Sequence, residues 1–217
     1  MAKPGVDVEA VHAATARGRR AAADLIESLD EAQLDAPSLC TEWPVRVVAG
    51  HLAAGATMPS TPRLLFELVK ARGDITAMID RSSRESARRP VAELVSDLRE
   101  HAGHRASPPG VGPRGPMTDA LVHTGDIAVP LGLPHEPDPA DVRLALDFVA
   151  GARPTAFVAK GRLDGLRLVA DDAGFADGEG TEVRGRGIDV LMAACGRPAV
   201  LDRLTGDGVA VLRSRIG

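Results

Sequence analysis

In the segment MTDALVHTGDI, from Met117 to Ile127, Asp119, His123 and Asp126 follow one another at intervals of four and three residues. At about 100° per residue, a helix puts these three side chains on one face, interleaved with Leu121, Val122 and Ile127. Carboxylate and imidazole suit zinc, nickel or ferrous iron, and an i,i+4 pair can clasp one ion without bending the backbone. His51 offers a further donor. It sits in TEWPVRVVAGHLAAGA on the side that carries Val47, Val48 and Ala54, so it faces inward rather than to water. Helix bundles place metals between facing helices, and three protein ligands leave the open position that a catalytic metal needs. Asp126 either binds the ion or accepts a hydrogen bond from His123 and holds its ring; the second role is preferred. The competing reading is a solvated acidic stripe beside a satisfied core histidine, and spacing alone does not separate the two.

Other reactive groups are less promising. Cys40 and Cys195 are the two cysteines, far apart and outside any CxxC spacing, so they form neither a disulfide framework nor a cysteine zinc site. Cys40 lies close to a helix start, where thiol acidity can rise, but no partnered base is visible and it is not read as a nucleophile. His101 and His104 border a Pro/Gly-rich loop, His12 is a boundary residue and His135 lies in a turn. Trp43, the single tryptophan, is expected to staple a helix start against the core.

The elements that must position these groups are mostly helical. DVEAVHAATARGRRAAADLIESL, with Asp7 as cap, reads as the first helix, and DEAQLDAPSLC as a connector. The second helix follows Thr41 as a candidate cap, with Pro44 in its first turn. A short helix is expected over TPRLLFELVKARG, ending at Gly73, and another over RPVAELVSDLREHAGH. RASPPGVGPRGP reads as a loop before the helix of the opening motif, which ends near Gly132. DPADVRLALDFVAGA is a helix with Asp138 as cap and Pro139 at its first position. Beyond Arg153 the texture changes: LDGLRLVADD alternates like a strand, GFADGEGTEVRG combines turn residues with an extended run, and the last segments return to helix. The fold class is therefore mainly α with a small α/β tail, divided as an all-helical body over 1–152 and a small α/β domain over 153–217.

The chain has 217 residues, 44% hydrophobic and 26% charged, an ordinary globular balance with enough length for a sizeable core. A net charge of −4 offers no basic field for nucleic acid or anionic membrane, and 2% aromatic residues offer no base-stacking platform. The N-terminal MAKPGVDVEA lacks an apolar signal core and no apolar run is long enough to span a bilayer, which makes the cytoplasm the expected location.

LCTEWPVRVVAGHLA and DALVHTGDIAVPLG together resemble the mycothiol-dependent maleylpyruvate isomerase family, within the wider group of DinB-like metal-binding helix bundles. The matching residues are Trp43, Val45, Arg46, His51 and Leu52 in the first block and Asp119, His123 and Asp126 in the second. GLRLVADD, EVRG and CGRPAVLDRLTGDGV resemble that family's small tail, itself likened to sterol carrier proteins. The resemblance implies a four- or five-helix bundle and a sterol-carrier-like C-terminal domain, with His51, Asp119 and His123 as ligands of a divalent metal, usually zinc, with nickel or iron as alternatives. It implies mycothiol as the cofactor and nucleophile, a thiol that a divalent metal helps to ionise near neutral pH. Family members usually carry Glu where this chain has Asp119, one methylene shorter, which questions the isomerase substrate more than the metal. Arg197 and Arg184 are the candidates for holding substrate carboxylates in bidentate fashion. The expected function is a thiol transferase or isomerase-like enzyme acting on a small electrophile, without nucleic-acid or membrane partners, as a monomer or homodimer. A metal-binding helical bundle without turnover, a stress-related binding protein, is the rival.

Overall fold

The computed structural model describes residues 7–57 and 74–216. α1 (Val8–Glu27) opens on Asp7, whose side chain accepts from the amides of Glu9 and Ala10. The expected connector contains a short α2 (Glu31–Asp35), closed by a reciprocal capping box between Asp30 and Gln33. α3 (Val45–Ala56) has Pro44 in the cap position with no side-chain cap, so Thr41 stays in the preceding turn and does not cap the helix. The helix expected over 61–73 lies outside the described residues. α4 (Ile75–Ser86), which the sequence pattern did not suggest, starts on Asp74 and packs along α3. α5 (Val91–Glu100) buries Leu94, Val95 and Leu98. α6 (Arg114–Ala128) begins inside the Pro/Gly-rich stretch and stops before Gly132, and α7 (Pro139–Ala152) is capped by Asp138 with Pro139 at its start.

The tail carries β1 (Leu166–Ala170), β2 (Phe175–Asp177) and β3 (Thr181–Gly185) in the order β2-β1-β3. β2 runs antiparallel to β1 and β3 parallel to it, so Leu168 faces Asp177 on one side and Val183 on the other. The chain between β2 and β3 crosses close over the start of β1. A Cβ at Gly180, whose φ is +124°, would lie 2.0 Å from the Gly165 carbonyl oxygen, so only glycine fits that crossing. α8 (Gly187–Ala194), a 3₁₀ turn (Pro198–Arg203) and α9 (Gly208–Ile216) complete the chain.

Two apolar cores result. One takes in Ala22, Ile26, Val48, Leu52, Leu94 and Leu98. The other joins Val11, Met117, Leu121 and Leu146 to Leu168, Val183 and Leu191 of the tail. At roughly 1.5–3 kcal/mol for each fully buried large aliphatic side chain, these two clusters carry most of the favourable free energy. α6 contributes to both: Val122 belongs to the second core and Ile127 to the first. The face holding Asp119, His123 and Asp126 falls between them, so the packing that seats α6 also sets where that face points.

Candidate metal centre

α3 and α6 carry the donors. α4 sits close enough to α3 that a Cβ on Gly50 would lie 2.6 Å from the Ser83 carbonyl oxygen. That approach brings the Ser83 hydroxyl to 3.2 Å from Nδ1 of His51. Ser83 already donates its own proton to the Ile79 carbonyl at 2.7 Å, so it accepts from His51 Nδ1. Nε2 of His51 is thereby turned inward, 3.3 Å from Asp119 Oδ1.

His123 repeats the arrangement. Its Nδ1 donates to Asp126 Oδ2 at 2.9 Å, and its Nε2 stands 3.4 Å from the same Asp119 oxygen. The two imidazole rings are 4.7 Å apart at their centroids, and one donor atom from each of His51, Asp119 and His123 lies within 4.8 Å of the others. The shorter carboxylate of Asp119 therefore reaches both imidazoles. Trp43 leans over the pair, 5.3 Å from the His51 ring and 6.5 Å from that of His123, with its indole N–H on Asp80 at 2.8 Å.

Electrostatics give the cluster a preference for positive charge. Burial opposes ionisation of Asp119, but the adjacent imidazoles of His51 and His123 outweigh it and hold the carboxyl well below the usual carboxylate range. Burial likewise disfavours a charged His123, yet Asp119, Asp126 and Cys40 raise its proton affinity well above that of an ordinary imidazole. A donor set that draws a proton this strongly fits a divalent cation, which brings positive charge to Nε2 and leaves the Nδ1 protons in place.

Asp126 is fully buried and joins three parts of the chain. Besides His123, its Oδ2 accepts from Cys40 Sγ at 3.1 Å and from Arg197 Nη2 at 2.6 Å, while Oδ1 accepts from Arg197 Nε at 2.9 Å. Its backbone carbonyl accepts from the Leu39 amide. Burial would raise this carboxyl, but His123 and Arg197 hold it ionised, well below the ordinary range. Cys40 Sγ also lies 3.4 Å from His123 Nδ1, which makes Cys40, His123 and Asp126 a second compact donor group. In that group the carboxylate is already matched by a guanidinium, and Nε2 of His123 points the other way, toward Asp119.

Of the sequence candidates, the structure brings together His51, Asp119, His123, Asp126 and Arg197. It places Arg184 on β3, where its guanidinium binds Asp171 and Glu182 rather than the histidine cluster. Arg197, expected as a clamp for substrate, has two prongs on Asp126 and a third on the Cys195 carbonyl. Cys40, Ser83 and Asp80 were missed as members of the site. Nothing in local spacing links positions 40 and 126 or 51 and 83. Both cysteines are free, and burial pushes the Cys195 thiol up to about 12.

A mainly helical protein with a small three-stranded tail and a His-Asp-His donor set between two helices is the class these features define. The chain belongs to the family described as the mycothiol maleylpyruvate isomerase N-terminal domain, whose profile matches residues 15–128. The crystal structure of the mycothiol-dependent maleylpyruvate isomerase is similar over 93% of this chain and 93% of its own, with a TM-score of 0.59 at 15% identity. A histidine-to-alanine mutant of that enzyme is similar over the same shares, with a TM-score of 0.51 at 16% identity. At such identities the likeness establishes the fold. No curated protein matches the chain.

Proposed function

We propose that this chain is a metal-dependent enzyme that uses mycothiol to act on a small electrophile, as a thiol transferase or an isomerase-like catalyst. The observation that carries the reading is the convergence of two imidazole Nε2 atoms and one carboxylate, with each imidazole Nδ1 tied to a separate acceptor. His51, Asp119 and His123 would hold the ion, with zinc the first choice and nickel or iron the alternatives. When bound, such an ion favours thiolate over thiol near neutral pH.

The chain's own residues do the remaining work. Ser83 and Asp126 fix the two imidazoles in the tautomer that turns Nε2 inward, and Trp43 covers one side of the pair with an apolar ring. Membership of the family and the shared fold support the choice of mycothiol as the thiol. Among the described residues no helix is long and apolar enough to cross a membrane.

The test is thiol consumption. Purified chain is incubated with zinc, mycothiol and a panel of electrophiles headed by a chlorinated dinitrobenzene and a bimane. Conjugation or isomerisation that needs the metal and disappears in His51→Ala supports the proposal. An ion bound at one per chain with no turnover across the panel would instead mark a binding protein.

A further inference from the structure

Arg197 lies just before the 3₁₀ turn of the tail, yet its fork closes on a residue of α6. The pair has a mostly buried guanidinium, 18% exposed, against a fully buried carboxylate. Asp126 is also the acceptor that fixes His123 Nδ1. A continuous path of hydrogen bonds thus runs from the tail to one of the three proposed metal donors, and each link is geometric: Arg197 Nε and Nη2 to the two oxygens of Asp126, then Asp126 Oδ2 to His123.

Without the guanidinium, a carboxylate in this place would be a buried charge with only neutral or histidine donors. It would be driven to turn toward water. That change removes a well-placed acceptor from His123 Nδ1, and the ring loses its orientation. Such outer partners of a metal ligand are worth about 10–100-fold in metal affinity. The same fork fastens the tail: the Cys195 carbonyl accepts from Arg197 Nη1 at 2.9 Å, so the guanidinium is anchored to the end of α8 as it grips α6.

Building on the His51, Asp119 and His123 metal site proposed above, we infer that Arg197 is a positioning residue that couples docking of the tail to metal binding through Asp126. By linkage, whatever factor the docked tail adds to metal affinity, the bound metal must return to the docking equilibrium.

The full-length chain is titrated with zinc against a chelator, and amide exchange over 187–203 is followed with and without zinc. In the wild type, zinc is expected to slow that exchange by about 10–100-fold, matching the loss of zinc affinity in Arg197→Met. In Arg197→Met, the slowing should vanish. Arg197→Lys keeps the charge but not the fork, remains folded, and should lose affinity by a smaller, several-fold factor. The double variant Asp126→Leu with Arg197→Met should bind zinc no more weakly than Asp126→Leu alone, since both act through one path. Equal zinc affinity in the wild type, Arg197→Lys and Arg197→Met overturns this inference and leaves the metal site standing. A wild-type chain that binds no zinc, or a His51→Ala variant that keeps it, overturns the metal site and the inference with it.

Discussion

Two donor groups share one histidine. On the Nε2 side of His123, Asp119 lies between two imidazoles and has no guanidinium among its hydrogen-bond partners in the described residues. On the Nδ1 side, Asp126 and Cys40 lie beside Arg197, which neutralises the carboxylate with a fork at 2.6 and 2.9 Å. Both groups have donor atoms at metal-binding separations. What distinguishes them is charge: the first draws a cation, and the second already contains one. Donor spacing is therefore not enough to locate a metal centre, and the countercharge decides which side of the ring receives the ion.

Removing a donor of the first group should have the largest effect. In His51→Ala, zinc affinity is expected to fall by about 10²–10³-fold, one donor's share of the roughly 10–16 kcal/mol of a four-ligand zinc site, measured by chelator competition. Loss from His51→Ala smaller than loss from a cysteine variant would reverse the comparison.

Breaking the neutralised pair comes next. Asp126→Leu leaves the Arg197 guanidinium without its carboxylate and should destabilise the fold by about 3 kcal/mol, the low end for a broken buried pair because Arg197 is partly exposed. Denaturant unfolding of the metal-free chain gives the value.

Acid should release the ion. His123 must give up any proton on Nε2 to bind metal, and its proton affinity is raised well above that of an ordinary imidazole by Asp119, against the effect of burial. Protons therefore compete from above the usual imidazole range. Apparent zinc affinity is expected to fall as pH falls, by up to about tenfold per pH unit for each proton exchanged. Affinity that is flat from neutral pH to about pH 5 would contradict an imidazole-based site.

Spacing between helices supplies a further test. Gly50→Ala puts a methyl 2.6 Å from the Ser83 carbonyl oxygen and forces α3 from α4, with an expected loss of about 1–3 kcal/mol in stability and a displaced Ser83–His51 contact. The smallest effect belongs to Cys40→Ala. It removes a donor of the second group only, so zinc affinity should stay within about tenfold of wild type, at or below the lower bound for an outer partner.

Much of this architecture can be read from the sequence. The Asp119, His123 and Asp126 spacing and the apolar flanks of His51 point to an inward-facing polar cluster, and Asp7, Asp138 and Pro139 mark helix starts that the structure contains. The strand alternation of LRLVA and the turn-rich segment after it mark the tail. Local pattern fails where pairing is distant. Arg197 and Asp126 are separated by 71 residues, Cys40 and Asp126 by 86, and His51 and Ser83 by 32. The packing of α6 between two cores brings the first two pairs together, and the close approach of α4 to α3 at Gly50 makes the third. α4 escapes notice because its apolar spacing, Ile75, Met78 and Ile79, covers a single turn and its buried positions are the polar Ser83 and Ser86. Thr41 illustrates the reverse error: a good capping residue is unused because Pro44 already ends the turn in the extended conformation that a helix start requires.

Which side of His123 holds the ion is read most directly by X-ray absorption at the zinc edge of the thiol-free, zinc-loaded chain. An ion on the Nε2 side gives a shell of nitrogen and oxygen at about 2.0–2.2 Å with no sulfur, unchanged by Cys40→Ala. A sulfur scatterer at about 2.3 Å that vanishes in Cys40→Ala would place the ion in the second group and contradict the Nε2 assignment.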